Sequence, residues 1–300
     1  MRFPVAGIEV SPFVPPLVAF AVSFFASMGG LSGAFLLLPF QMSFLGYVNP
    51  SVSSTNQLFN VVAVPGGIYR YSREKRLFRP LAAIISAGTL PGVFLGAYVR
   101  VVWLPDPGRF KLFAAAVLLY LGGMLLKNLL SRPNAPPVGN NAAPAAAQSL
   151  VVEMPEFSAR RISCIFQGKE YSCPTAGVFI LSLMVGIVGG VYGIGGGVFI
   201  APFMVSWFRL PIHVIGGATL LGTFFTSAAG VLFYTLLAPF FPEQSVAPDW
   251  ALGLLFGMGG LAGMYCGARC QKHVPAAAIK WMLVMVMLGT AAKYALECLG

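Results

Sequence analysis

Gly189-Gly-Val-Tyr-Gly-Ile-Gly-Gly-Gly197, with Pro202 five residues on, interrupts an otherwise helical apolar run. A weaker copy, Ser27-Met-Gly-Gly-Leu-Ser-Gly33 leading to Pro39, stands near the start of the chain. The segments flanking each break are short for a crossing, since a ~30 Å hydrocarbon core needs roughly 20 apolar residues. Glycine permits unwound backbone, and a helix that restarts there aims unsatisfied N–H groups and its positive dipole end at the break. Such an end attracts anions. In a membrane, irregular backbone survives only where protein buries it or a watery cavity meets it, and matching breaks in two halves of a chain point to a transport site. The plainer reading is close helix packing through small residues. The repetition of the break favours the functional reading.

Composition sets the medium in which these breaks sit. Hydrophobic residues make up 57% of 300 positions and charged residues 9%, and the mean hydropathy is +0.81. Those values exclude an ordinary soluble domain and describe an all-α polytopic membrane protein with apolar length for eight to ten passes. Five segments precede a polar interruption: Phe13 to Met28, Ala34 to Tyr47, Val52 to Tyr69, Leu81 to Val102 and Phe110 to Leu130. Five follow it: Ala176 to Tyr192, Val198 to Phe208, Val214 to Leu237, Trp250 to Ala268 and Ala276 to Glu297. The chain therefore divides into a first repeat over 1–130, an extramembrane linker over 131–175 and a second repeat over 176–300. Within the linker, Phe157 to Cys173 reads either as a hairpin turning around Gln167 and Gly168 or as a tether without structure.

The halves are related in sequence. Pairing each residue from Ser27 to Tyr71 with the one 163 positions later gives eight identities in 45 pairs, among them Gly30 with Gly193, Gly33 with Gly196, Pro39 with Pro202 and Tyr71 with Tyr234. At an offset of 171, Gly88, Leu90, Gly92, Gly96 and Ala97 recur as Gly259, Leu261, Gly263, Gly267 and Ala268. These glycine faces leave open whether they serve internal packing or a homodimer. Charge separates the halves: the loop after the third segment holds Arg70, Arg73, Lys75, Arg76 and Arg79, whereas its counterpart, Ala238 to Asp249, holds Glu243 and Asp249. Lys and Arg mark the cytoplasmic side, so the two loops are expected to face opposite compartments and the repeats to be inverted. The linker would then be cytoplasmic and both termini external. Arg100, Arg109 and Lys111 run against that scheme, because it places them outside.

Gly193-Ile-Gly-Gly-Gly197 with Pro202, the copy from Gly30 to Pro39 and the downstream Ala218-Thr219-Leu220 together resemble the TauE/SafE-like sulfite exporters, also called the toluene sulfonate uptake permease family. The resemblance covers nearly the whole chain apart from Ser131 to Pro174. It implies a secondary transporter that moves sulfite, organosulfonates or related sulfur oxyanions across a plasma (inner) membrane without ATP hydrolysis. A passive anion channel and a non-transporting membrane scaffold are the alternatives. The first copy departs from the pattern, with Leu31-Ser32-Gly33-Ala34 in place of the triple glycine and Asn56 where Thr219 stands in the second.

Polar side chains in apolar segments are costly unless paired or functional, and Gln41, Asn56, Gln57, Asn60, Thr219, Thr223, Thr226 and Ser227 all follow the breaks. Asn56 and Asn60 are one helical turn apart, as are Thr219 and Thr223, and the offset of 163 maps one pair onto the other. A ring of amide and hydroxyl donors suits an oxyanion that has shed its water. The expected substrate-binding set is Gly30, Gly33, Asn56, Gln57, Asn60, Gly193, Gly195, Gly196, Gly197, Thr219 and Thr223. Arg209 and His213 are candidates for anion attraction or proton coupling. The plainer role for these Asn and Thr side chains is hydrogen bonding to neighbouring helices or to their own backbone, which weighs equally for the threonines and less for Asn56.

The remaining features narrow the class. All nine acidic residues fall in loops or near segment ends, which argues against a cation carrier. His213 and His273 lack an intramembrane carboxylate nearby, so no enzyme, cofactor or metal site is expected. The +10 net charge lies beside membrane segments, where topology and lipid headgroups account for it, and no nucleic-acid motif accompanies it. Cys266 and Cys270 read as packing residues, and a Cys164–Cys173 disulfide would contradict a cytoplasmic linker. The first apolar run belongs to the repeat and is not read as a cleaved leader.

Overall fold

The computed structural model describes residues 1–28, 32–73, 77–130, 153–157, 161–166, 169–208, 210, 212–270 and 276–299. Gly30 and Arg209 lie outside them, and so does the Pro/Ala-rich part of the linker. In the first half, α1 (Val14–Met28) and α2 (Ala34–Ser43) flank the first break, followed by α3 (Ser51–Ala63), α4 (Pro65–Arg73), α5 (Arg79–Val102) and α6 (Pro107–Leu130). In the second, α7 (Thr175–Tyr192) and α8 (Gly197–Ser206) flank the second break, followed by α9 (Ile212–Leu237), α10 (Trp250–Cys270) and α11 (Ala276–Leu299).

Local chemistry explains the boundaries. The apolar stretch from Val52 to Tyr69 divides into α3 and α4 because Pro65 lacks an amide hydrogen and restricts Val64 before it. Bonds from Gly67 N and Ile68 N to Val64 O, at 2.9 and 3.2 Å, carry the chain onward. Asp249 caps α10, its Oδ1 accepting from Leu252 N at 3.1 Å. Six described helices (α5, α6, α7, α9, α10 and α11) are long and apolar enough to cross a membrane. That is fewer than the eight to ten passes expected, because the breaks leave α1 with 15 residues and α2 and α8 with 10 each.

Two small sheets lie outside the bundle. β1 (Arg2–Phe3) pairs antiparallel with β2 (Ile8–Glu9), and Phe3 is buried. In the linker, β3 (Glu153–Phe157), β4 (Arg161–Phe166) and β5 (Lys169–Pro174) form an antiparallel sheet in that order. β4 and β5 pair from Arg161 with Pro174 to Phe166 with Lys169, so the alternative of a structureless tether fails for these strands, while Gln167 and Gly168, where the turn was expected, lie outside the described residues. Cys164 faces Tyr171 and Cys173 faces Ile162 across the ladder.

Helix packing repeats itself between the halves. α1 packs on α10 as α7 packs on α5; α3 packs on α10 as α9 packs on α5; α3 meets α9, and α6 meets α11. Exchanging the halves maps the first four pairs onto one another and each of the last two onto itself. The glycine faces supply the closest contacts: a Cβ on Gly88, Gly92 or Gly96 would run into the carbonyls of Phe179, Leu183 or Ile187 on α7. One on Gly259, Gly263 or Gly267 would meet those of Pro16, Phe20 or Phe24 on α1. Each carbonyl of the second set lies 163 residues before its counterpart in the first. These glycines therefore serve internal packing, which settles the choice the sequence left open for them.

Contacts also sort the loops into two ends. At one, Asn49 Nδ2 donates to Val5 O at 3.2 Å, Ser51 N to Ser245 O at 2.8 Å, and Lys111 pairs with Glu297 at 2.7 Å. At the other, the Phe208 ring lies 3.3 Å from where a Cβ on Gly177 would sit, and Leu77 lies 3.2 Å from the same position on Gly217. The pair α1–α2 thus returns to the end it started from, and α7–α8 does so at the opposite end.

Candidate functional site

The second break is built by backbone geometry. Gly193 ends α7 in the left-handed region at φ +84°, its N–H donating to Gly189 O at 2.8 Å, and Gly195 follows at φ +68°. An L side chain at 193 would be strained in that conformation and would also collide with the Ser53 backbone of α3. Gly196 lies against Thr89 of α5, and Gly195 against Ser227 and Thr223 of α9. In the first break, Gly30 falls outside the described residues, while Gly33 opens α2 against Ser23 of α1. The breaks touch: the Tyr192 hydroxyl at the end of α7 donates to Phe35 O in the first turn of α2, at 2.9 Å.

The paired polar residues divide between the breaks as the offset of 163 requires. Asn56 Nδ2 donates to Ala34 O at 3.0 Å, and Ser32 Oγ donates to Asn60 Oδ1 at 3.3 Å, bracing the start of α2. Thr223 Oγ1 accepts from Gly197 N at 2.9 Å and donates to Thr219 O at 2.9 Å, bracing the start of α8. Thr219 Oγ1 donates to Gly216 O at 3.0 Å. Ala34 and Gly197 are offset counterparts, as are Asn60 and Thr223. The threonine hydroxyls thus donate to their own helix, which was one of the two readings left open for them.

Between the breaks runs the seam of α3 against α9. Ser53, Gln57 and Asn60 share one face of α3, and Thr223, Ser227, Gly230 and Tyr234 share one face of α9, each set at helical spacing. The Gln57 amide lies where a Cβ on Gly230 would sit. The offset counterparts repeat the arrangement with an apolar group: Leu220 lies 3.1 Å from where a Cβ on Gly67 would sit. At one end of the seam, Tyr234 donates to Gly190 O at 2.9 Å and hydrogen-bonds Ser53. Gln57 Nε2 and Oε1, Asn60 Nδ2 and Ser227 Oγ are buried without a hydrogen-bond partner among the described residues. Leaving such a group unsatisfied costs about 1–3 kcal/mol, so a cluster of them on facing helices calls for a reason. Gln57 and Asn60 each offer two N–H donors and Ser227 one O–H. Ser182, also without a partner, is a lone hydroxyl in the α5–α7 contact.

Some residues fall elsewhere or were overlooked. His213 lies in the first turn of α9. Thr89, whose Oγ1 lies 2.7 Å from Thr226 Oγ1, joins α5 to α9 beside Gly196. Arg100, read from sequence as a loop cation, is fully buried in the last turn of α5. Its Nη2 donates to Val48 O at 3.1 Å and its Nε to Ser53 Oγ at 3.4 Å, and Nη1 bonds Leu104 O. The guanidinium lies 3.7 Å over the Phe110 ring. The signal was present: Arg100 opposed the charge rule. A cavity of about 440 Å³ between α1, α2 and α11, lined by residues such as Phe25, Pro39 and Val286, is apolar and separate from the seam.

Comparison with known proteins bears on what such a seam serves. A family profile described as Sulfite exporter TauE/SafE matches residues 16–294. The "Probable membrane transporter protein YdhB" of Bacillus subtilis (strain 168) is 27% identical over 99 residues, which is 33% of this chain. That match spans 37% of the relative's length. No solved structure matches.

Proposed function

The chain belongs to the sulfite exporter TauE/SafE family, a family of membrane transporters, and from that premise we propose that it moves a small sulfur oxyanion or organosulfonate across the plasma membrane along the α3–α9 seam. The observation that carries the proposal is the cluster of unpartnered donors from Gln57, Asn60 and Ser227 between two touching helix breaks. A sulfur oxyanion presents several acceptor oxygens, and donors converging from two helices replace its water without requiring a cation. The breaks brace rather than ligate in this reading: Asn56, Thr219 and Thr223 hold the ends of α2 and α8, while Gln57, Asn60 and Ser227 meet the anion.

The same reading takes the repeats as inverted. With α1–α2 and α7–α8 each returning to its own end, α3–α4, α5 and α6 give three crossings in the first half and α9, α10 and α11 three in the second. Three is odd, so the second half starts from the opposite face. The Arg70 to Arg79 loop and the linker then face the cytoplasm, with both termini outside. Alternating access follows from rocking of the two hairpins against the α3–α9 pair. Reconstitution in liposomes tests the function: saturable uptake of sulfite or thiosulfate, absent from protein-free vesicles, is the expected result. Flux of no sulfur anion would overturn the proposal.

A further inference from the structure

Arg100 and Asp249 are the charged side chains buried among the described residues, and they do not neutralise each other. Asp249 is occupied by the N–H groups of Ala6 and Leu252. Arg100 is held by two carbonyls, a hydroxyl and a ring face, and the ion pairs among the described residues, Lys111–Glu297 and Lys293–Glu297, exclude it. Carbonyl dipoles solvate a guanidinium but leave its full positive charge in place. Burying such a charge without a counterion costs several kcal/mol, and within membrane segments uncompensated charge marks an ion path. The position is specific. Arg100 Nε reaches Ser53 Oγ, Ser53 Oγ donates to Val191 O at 2.7 Å, and the Ser53 backbone abuts Gly193. Ser53 also heads the α3 face that carries Gln57 and Asn60. The position 171 residues on is Gln271, so the other half has no matching charge.

We propose that Arg100 is the specificity-determining charge of the seam: its field selects anions over neutral solutes and doubly charged anions over singly charged ones at the end where Ser51 and Ser54 of α3 meet Ser245 and Val246. This inference rests on the transport reading above. The alternative is a clamp, in which the guanidinium only ties residues 48 and 104 to α3. Charge and clamp differ in their dependence on the substrate's charge, because Coulomb energy doubles for a dianion whereas a clamp is blind to it.

The test measures uptake of thiosulfate, a dianion, and methanesulfonate, a monoanion, by reconstituted protein carrying Arg100, Arg100→Lys or Arg100→Gln. Arg100→Gln should raise KM about tenfold for methanesulfonate and about a hundredfold for thiosulfate, with Vmax within about twofold. Arg100→Lys keeps the charge but loses the fork, and should hold the ratio of the two KM values within about threefold of the parent. Equal KM increases for both anions, or a fall in Vmax alone shared by both variants, would overturn the inference and establish the clamp. If Arg100→Gln does not reconstitute as a folded protein, the lysine variant decides: a collapse of the KM ratio overturns the inference. Absence of flux in the parent removes the transport reading and this inference with it, whereas parental flux with an unchanged ratio in Arg100→Gln removes the inference alone.

Discussion

Thr223 has two jobs that can be separated. Its hydroxyl accepts the Gly197 N–H that opens α8 and donates to Thr219 O on its own helix. Replacement by valine keeps shape and burial but leaves that N–H without an acceptor, a loss of about 1–3 kcal/mol. Thr223→Val should therefore lower the thermal midpoint while leaving the KM for the transported anion within about twofold; an unchanged midpoint with a raised KM would place Thr223 among the anion's ligands instead. At this scale the sequence was informative about position and less so about role. Asn56, Asn60, Thr219 and Thr223 were legible as equivalent pairs, because a single offset relates them. That threonine donates back into its own helix depends on rotamer geometry, which spacing does not report. Arg100 was misassigned for another reason: the segment was read to its true end at Val102, but an arginine in a last helical turn ordinarily reaches out to the interface, and only the packing shows this one buried.

Helix seams depend on which glycines are crowded. Gly92 and Gly263 face carbonyls of α7 and α1, whereas Gly123 and Gly289, also within long helices, have nothing within 4 Å of an added Cβ. Gly92→Val and Gly263→Val should each cost more than about 3 kcal/mol or prevent folding, since backbone rather than a movable side chain is struck. Gly123→Ala and Gly289→Ala should be neutral or mildly stabilising, by up to about 1 kcal/mol, through better helix propensity. Detergent-extracted thermal stability by fluorescence size exclusion reads both, and equal behaviour of the two pairs would contradict the packing described. The offset of 171 made the glycine ladders visible in the sequence. Their partners were not visible, because residues as small as glycine carry no mark of the surface they meet. Fewer described helices than expected are long enough to cross for a related reason: hydropathy measures apolar length along the chain, and a glycine break divides that length between helices as short as the 10 residues of α2 and α8.

The whole molecule is two halves packed by exchange, and its orientation follows from the odd number of crossings proposed for each. In a background lacking the native cysteines except Cys298, a membrane-impermeant maleimide should label intact cells, because the proposed orientation puts the end of α11 with the external loops. In the same background with Cys298 also removed, a single cysteine from Asn140→Cys in the linker should react only after permeabilisation. The reverse pattern would contradict the orientation, and labelling of both from outside would contradict inversion. The Arg70 to Arg79 loop already pointed this way, with Arg100, Arg109 and Lys111 against it; Lys111 is paired with Glu297, and Arg109 stays exposed on the other side. The burial of Arg100 in the seam removes it from the loop count.

The central claim is that an anion crosses between α3 and α9 by meeting Gln57, Asn60 and Ser227. Gln57→Leu tests it most directly, because the second half already carries leucine at the equivalent position, Leu220, packed against glycine in the same way. Removing an unsatisfied buried amide in favour of a similar apolar shape should leave stability unchanged or raised. Sulfite and thiosulfate uptake by Gln57→Leu proteoliposomes, set against the parent at equal reconstituted protein, should fall at least about tenfold while the thermal midpoint holds. A folded Gln57→Leu protein that transports at the parental rate would contradict the account.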